Sequence, residues 1–214
     1  MEAVDGDAAG QDGPQVRTGF RRSTGSKRGE ARRRELLDRV TDDLAVNGLV
    51  DFSLRRAARA AGTTHKVLLY YFDGADDLLG QAIVQLRDKR IRKGLVAASQ
   101  GPTRQPLAAQ VRAIWPILVG DEGPVLDQAI GLAIYDPDRY SELGRGARKQ
   151  YLPALLSICP EDWSDRRKLE VAEMILAVLR GFLVDRRISG DAVGVAAGFE
   201  ALIRALEREE AADV

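Results

Sequence analysis

One cysteine, one histidine and no long uninterrupted apolar run are the first facts of this 214-residue chain. The lone Cys159 excludes an internal disulfide and supplies no cluster for a metal, as expected of a reducing cytoplasm, and it reads as a small buried hydrophobe. The lone His65 would have to serve any Ser-His-Asp or Cys-His arrangement, and it lies far along the chain from Cys159. No metal-ligand spacing and no phosphate-cradling glycine loop occurs, so neither metal, cofactor nor catalytic residue is predicted. Asp and Glu are many, but they fall on what read as solvated helix faces, which argues against an enzyme of the paired-carboxylate kind. No stretch approaches the roughly 18 to 20 apolar residues of a membrane span. Met1 to Val16 carries four acids, no base and no apolar run, unlike a signal peptide. These absences predict a cytoplasmic protein that makes no use of a membrane.

What is present is a chain 45% apolar and 30% charged, enough to bury a sizeable core in one large or two small domains. The net charge of zero hides a division. Arg17 to Lys93 holds 18 Lys/Arg against 10 Asp/Glu, while Met1 to Val16 and Gly94 to Val214 each carry a net of −4. Arg17, Arg21, Arg22, Lys27, Arg28, Arg32, Arg33 and Arg34 come first, among Gly, Ser and Thr that favour a flexible arm. A basic arm has a mechanism on phosphates or in the narrow minor groove, and Arg28 and Arg32 are its candidate DNA contacts. The reading divides the chain into a tail and arm over 1–29, a first domain over 30–80 with a linking helix to about 93, and a second domain over 94–214.

Within the basic region, Leu36, Leu37, Val40 and Leu44 fall at helical spacing and predict a helix from about Arg32 to Asn47, with Gly48 beyond its end. Ser53 is placed to cap a second helix, Leu54 to Ala61, whose Ala57, Ala58 and Ala61 keep one face low. Gly62 stops it, because the sharp turn needs a left-handed residue. Thr63 or Thr64 caps a third helix, whose Val67, Leu68 and Phe72 fill the angle against the second. Two short helices joined by such a turn make a helix-turn-helix. A further helix starts near Gly74 to Asp76 and ends among Arg90, Arg92 and Lys93 before Gly94.

Leu36, Leu37, Gly48, Ser53, Ala58, Ala61, Gly62, Leu68, Tyr71, Phe72, Asp77, Leu78 and Leu79 together resemble, without a gap, the N-terminal domain of the tetracycline-repressor (TetR) family of transcriptional regulators. Two positions depart from that pattern: Leu69 stands where an aromatic is usual, and Ala75 where a phosphate-contacting lysine is usual. The resemblance implies an all-helical fold, a homodimer on a palindromic double-stranded DNA operator, and release by a small-molecule effector of unknown identity. It also implies that the third helix enters the major groove with Thr64, His65, Lys66, Val67 and Tyr70, and that Arg55 reaches it from the second. Lys66 or Arg55 suits a guanine and Val67 a thymine methyl, Thr64 and Tyr71 suit the phosphates, and Ser53 is a further candidate DNA contact. A dimeric helical ligand-binding or adaptor protein that has lost operator recognition is the alternative.

Beyond Leu95, helical segments separated by Gly and Pro are predicted at about Leu107 to Val119, Gly123 to Ile134, Ser141 to Ser157, Ser164 to Ile188 and Asp191 to Arg208. The fourth of these is apolar on two faces, Val171, Ile175, Val178 and Phe182 on one and Ala172, Leu176, Leu179 and Leu183 on the next, so it needs cover from two sides. The last carries Gly194 and Gly198, then Ala197, Ala201 and Ala205, at four-residue spacing. Both features suit a two-fold four-helix interface. Trp115, Tyr135, Tyr151, Leu176 and Phe182 are the candidate walls of an effector cavity, with Pro116 expected to bend its helix and leave room beside it.

Overall fold

The computed structural model describes residues 26–101, 104–120 and 123–212; the acidic tail and the part of the predicted arm up to residue 25 lie outside the described residues. Nine helices and no strand occur among the described residues. The first, α1 (Lys27–Asn47), starts five residues before the predicted boundary because the Ser26 side chain accepts a hydrogen bond from Gly29 N at 3.1 Å. Lys27 to Ala31, placed before the predicted helix, is therefore helix. Its inner face is Leu36, Val40 and Leu44, all fully buried.

The short α2 (Leu54–Ala60) and α3 (His65–Tyr71) form the turn-helix unit. Gly62 takes φ +62°, and Thr63 N closes the turn onto Ala58 O at 2.9 Å. Thr64, not Thr63, caps α3 through Val67 N. Ala57 and Ala61, fully buried, let the helices cross closely over Leu68. Three arginines are spent on holding this unit together. Arg56 pairs with Asp43 at 2.8 Å and donates to Gly48 O and Val50 O; Arg39 donates to Ala61 O; Arg33 donates to Tyr71 O and Gln81 and lies 4.9 Å over Phe72.

The long α4 (Ala75–Ala98) runs past the predicted stop at Gly94. Gly94 is buried inside the helix beside the Ile114 side chain of the next helix, so it does not mark an end. After α4 come α5 (Leu107–Val119), α6 (Gly123–Tyr135), α7 (Pro137–Ile158), α8 (Asp165–Ser189) and α9 (Ala192–Ala211). Pro116 lies within α5, which continues to Val119. α7 begins four residues before the predicted Ser141, since Asp136 accepts from Arg139 N and Pro137 suits the first helical turn.

Two apolar cores result. One unites the end of α4 with α5, the later half of α7, α8 and α9. The other is built from α1 to α4, but Val125, Leu126 and Ala129 of α6 and Leu143 of α7 complete it. α4 belongs to both.

Candidate DNA-binding surface and ligand cavity

On the turn-helix unit, capping and packing sort the predicted contacts. Ser53 and Thr64 are exposed and occupied as N-caps, their oxygens accepting from Arg56 N and Val67 N at 3.3 and 3.4 Å. Arg55, His65 and Lys66 are exposed, at the start of α2 and of α3. Val67 and Tyr71 are half-buried against the core. Tyr70, also half-buried, meets the Tyr71 ring edge-on at 4.9 Å. Leu69 is half exposed, at 50%. Arg28 is exposed on the first turn of α1, while Arg32 is half-buried and pairs with Glu35 at 2.6 Å. The N-terminal ends of α2 and α3 thus present Arg55, Thr64, His65 and Lys66, Arg59 is exposed in the last turn of α2, and Arg33, Arg39 and Arg56 stay with the scaffold. Sequence spacing separates Arg55 from Arg56 only once the buried Ala57 and Ala58 fix the inward face.

Bordering both cores, a cavity of about 80 Å³ lies between α4, α5, α6, α7 and α8. Tyr151 and Leu176, two of the predicted wall residues, line it. The other three do not. Tyr135 is 87% exposed at the end of α6. Trp115 stacks on Phe199 at 4.8 Å and meets Phe182 edge-on at 6.2 Å, so both rings are used to pack α5 and α8 onto α9. The reason is register: Ile114 and Leu118 of α5 face the cavity, and Trp115 falls between them on the flank turned to α9.

The polar groups of the cavity escape a reading from aromatic positions. Arg87 and Arg90 of α4 and Arg180 of α8 line it. Arg87 and Arg90 are buried, at 2% and 5% exposure. Arg87 donates to Leu143 O at 2.6 Å; Arg90 Nε donates to the Tyr151 hydroxyl at 2.9 Å and its guanidinium lies 5.3 Å from that ring. Burial pushes Arg87 down to about 10; Tyr151 opposes the fall, and the nearby positive charges of Arg90 and Arg180 add to it. Close by, burial raises the Asp127 carboxyl while its bond to Arg187, at 3.1 Å, opposes the rise. One signal was available: Arg87 and Arg90 share helical spacing with Ile83, Leu86 and Gly94 and so belong to the inward face of α4.

Two contacts connect the cavity wall to the turn-helix unit. Leu126 of α6 both lines the cavity and belongs to the N-terminal core. Two residues on, Gln128 Oε1 accepts from Leu49 N in the α1–α2 connection at 2.7 Å. On the adjoining side, Arg139 of α7 makes a two-pronged bond with Asp76 at the start of α4. Among the described residues no group of three His, Cys, Asp or Glu could hold a metal, and no helix is long and apolar enough to cross a membrane.

The outward surface of α8 and α9 sets small and apolar residues among charged ones such as Glu170, Arg204 and Glu207. Met174, Ala177 and Gly181 of α8 and Ala197 and Ala201 of α9 are exposed. Gly198 is different: an added Cβ would meet the Phe182 ring at 2.8 Å, so this glycine admits α8 within the same chain.

By sequence the chain matches no protein-family model and no curated protein. By structure it is similar to a TetR-family transcriptional regulator from Cytophaga hutchinsonii, with a TM-score of 0.62, 16% identity, and 85% of this chain and 96% of that one covered. The multidrug binding protein EbrR, in complex with proflavin, is similar at a TM-score of 0.60 and 20% identity, over 81% of this chain and 98% of that one. So is the fatty acid degradation regulator FadR from Bacillus halodurans, at 0.54 and 15%, over 82% and 94%. The chain has the all-helical fold of these regulators.

Proposed function

We propose that this chain, folded as the TetR-family regulators are, is a homodimeric DNA-binding transcriptional repressor released from a palindromic operator by a small effector. The observation that carries the reading is the position of α4. Its first half is packed into the turn-helix core through Leu78, Leu79, Ala82 and Ile83, and its second half forms one wall of the cavity. A ligand that shifts this wall therefore tilts the frame that carries α3. Helices such as α3 read base edges with their N-terminal residues, here Thr64, His65 and Lys66, with Arg55 beside them. Tyr70 and Tyr71 are proposed to support the phosphate side, and Val67 to touch a thymine methyl.

The dimer is proposed to form through α8 and α9. Their exposed alanines permit close approach of a second copy, and a two-fold pair sets two α3 helices in successive major grooves only at a spacing of roughly 34 Å. A small change of tilt is therefore costly to binding. Because coupling free energy is reciprocal, an effector that loosens DNA must bind the DNA-bound dimer less tightly by the same factor.

Mobility shift against the protein's own upstream DNA tests the reading. A sequence-specific complex is expected, and Arg55→Ala with Lys66→Ala should weaken it by roughly thirtyfold to ten-thousandfold, given about 1–3 kcal/mol for each of two good base contacts. Unchanged affinity and unchanged sequence preference in the double variant would remove α3 from the interface.

A further inference from the structure

The cavity holds more positive charge than it neutralises. Three guanidinium groups from two helices, Arg87, Arg90 and Arg180, share a space otherwise walled by Ile, Leu, Ala and Gly side chains and Tyr151, and no carboxylate lines it. Asp127, whose charge reaches Arg90, does not line the cavity; it holds Arg187 through Oδ2 and leaves its buried Oδ1 without a partner among the described residues, so one carboxylate stands against four guanidinium groups. Burying charge without a counter-charge is costly, and natural chains avoid it unless something supplies the partner.

The hydrogen bonds point the same way. Arg87 is anchored on the Leu143 carbonyl and Arg90 by its Nε on Tyr151, which fixes both guanidinium planes. Arg90 Nη1 and Arg180 Nη2, both buried, then have no partner among the described residues. Two charged donors, one from α4 and one from α8, remain for a group that enters the cavity.

We infer that the cavity is a receptor for an organic carboxylic acid, whose carboxylate bridges Arg90 of α4 and Arg180 of α8 while its apolar body lies among Ile114, Ile130 and Leu176. This rests on the reading of the cavity as the effector site and names the chemical class of the effector. A carboxylate has two acceptor oxygens, which suits two guanidinium donors, and charge-assisted bonds of this kind are the strong ones. A neutral ligand leaves the charges unmatched, a cation is repelled, and a small hydrated anion gains nothing from the apolar walls. At about 80 Å³ the space is about half the ~150 Å³ of an apolar cavity that admits benzene, so the acid's body enters only as the helices part. The carboxylate meanwhile ties α4 to α8. Binding and the movement of α4 are thus one event.

The test is calorimetric titration of the full chain with a graded set of carboxylates, from benzoate to decanoate, each paired with its primary amide and its amine. At least one acid should bind tenfold or more tighter than its amide, with the amine weakest; one charge-assisted contact corresponds to about a tenfold or greater change. Arg180→Gln should remove the acid's advantage and leave the amide's affinity unchanged, and Arg180→Lys should keep part of it. Thermal unfolding establishes that each variant is folded, and Arg90→Gln gives a second reading of the same contact. Amides or amines that bind as well as acids would overturn the assignment of ligand class and leave the cavity as an effector site. Acid affinities unmoved in both glutamine variants would overturn the placement of the carboxylate. If no compound of the set bound, both the assignment and the effector reading of the cavity would fall.

Discussion

Gly198 and Ala201 lie one turn apart on α9 and do opposite things. At Gly198 any side chain meets the Phe182 ring within the same chain, whereas Ala201 is exposed and open to a second copy. Gly198→Ala should therefore lower the stability of the protomer by about 1–3 kcal/mol, the usual cost of overpacking, which thermal unfolding would show. Ala201→Asp should leave the protomer folded and produce monomers in sedimentation, because a charge would be buried unpaired between two copies. A dimer that survived Ala201→Asp would place the interface elsewhere. The small-residue spacing of α9 was legible in the sequence, but the division of labour along it was not, since only the position of Phe182 on a different helix decides which glycine is already in use. The same limit applied to Trp115 and Tyr135. Aromatic identity marked them as candidate walls, and the register of α5 and the exposed end of α6 take them elsewhere.

Among the elements, α1 and α6 change most between sequence and structure. The basic lead-in reads as an arm because Arg28, Arg32, Arg33 and Arg34 stand among small polar residues. The cap at Ser26 makes the part from Lys27 onward helical, and Arg33 is fastened to Tyr71, Phe72 and Gln81. Deleting it would damage the fold, so substitution is the sounder probe. Arg28→Ala and Arg34→Ala, both at exposed positions, should weaken specific and random DNA alike and lower the slope of log affinity against log salt by about one unit for each phosphate no longer neutralised. An unchanged slope would make this turn a solvated helix end. α6 was legible as a helix but not as a part of the N-terminal core, because a packing partner far along the chain leaves no periodic trace. Its bond from Gln128 to Leu49 N predicts that Gln128→Ala keeps DNA binding but reduces the fold-change an effector produces, by a factor readable in paired titrations with and without ligand. Full retention of the response would assign the coupling to α4 alone.

At the scale of the whole molecule, the turn-helix unit is legible because its requirements are local: caps at Ser53 and Thr64, a left-handed Gly62, small residues where two helices cross. The cavity is not legible in that way. It is assembled from five helices, and although spacing sets Arg87 and Arg90 on the inward face of α4, only the packing of the other four helices shows that they are buried around a cavity. With the two parts joined through α4 and α6, and two copies proposed to pair through α8 and α9, one dimer should carry two reading heads at fixed separation. Selection of bound duplexes from a random DNA pool, with the full chain and without added ligand, tests this most directly. The expected result is an enriched inverted repeat whose half-sites lie on one face of the duplex, about one helical turn or a multiple of it apart, and loss of that enrichment with Arg55→Ala and Lys66→Ala together. A pool that shows no enrichment, or a lone asymmetric half-site, would contradict the proposed pair of reading heads.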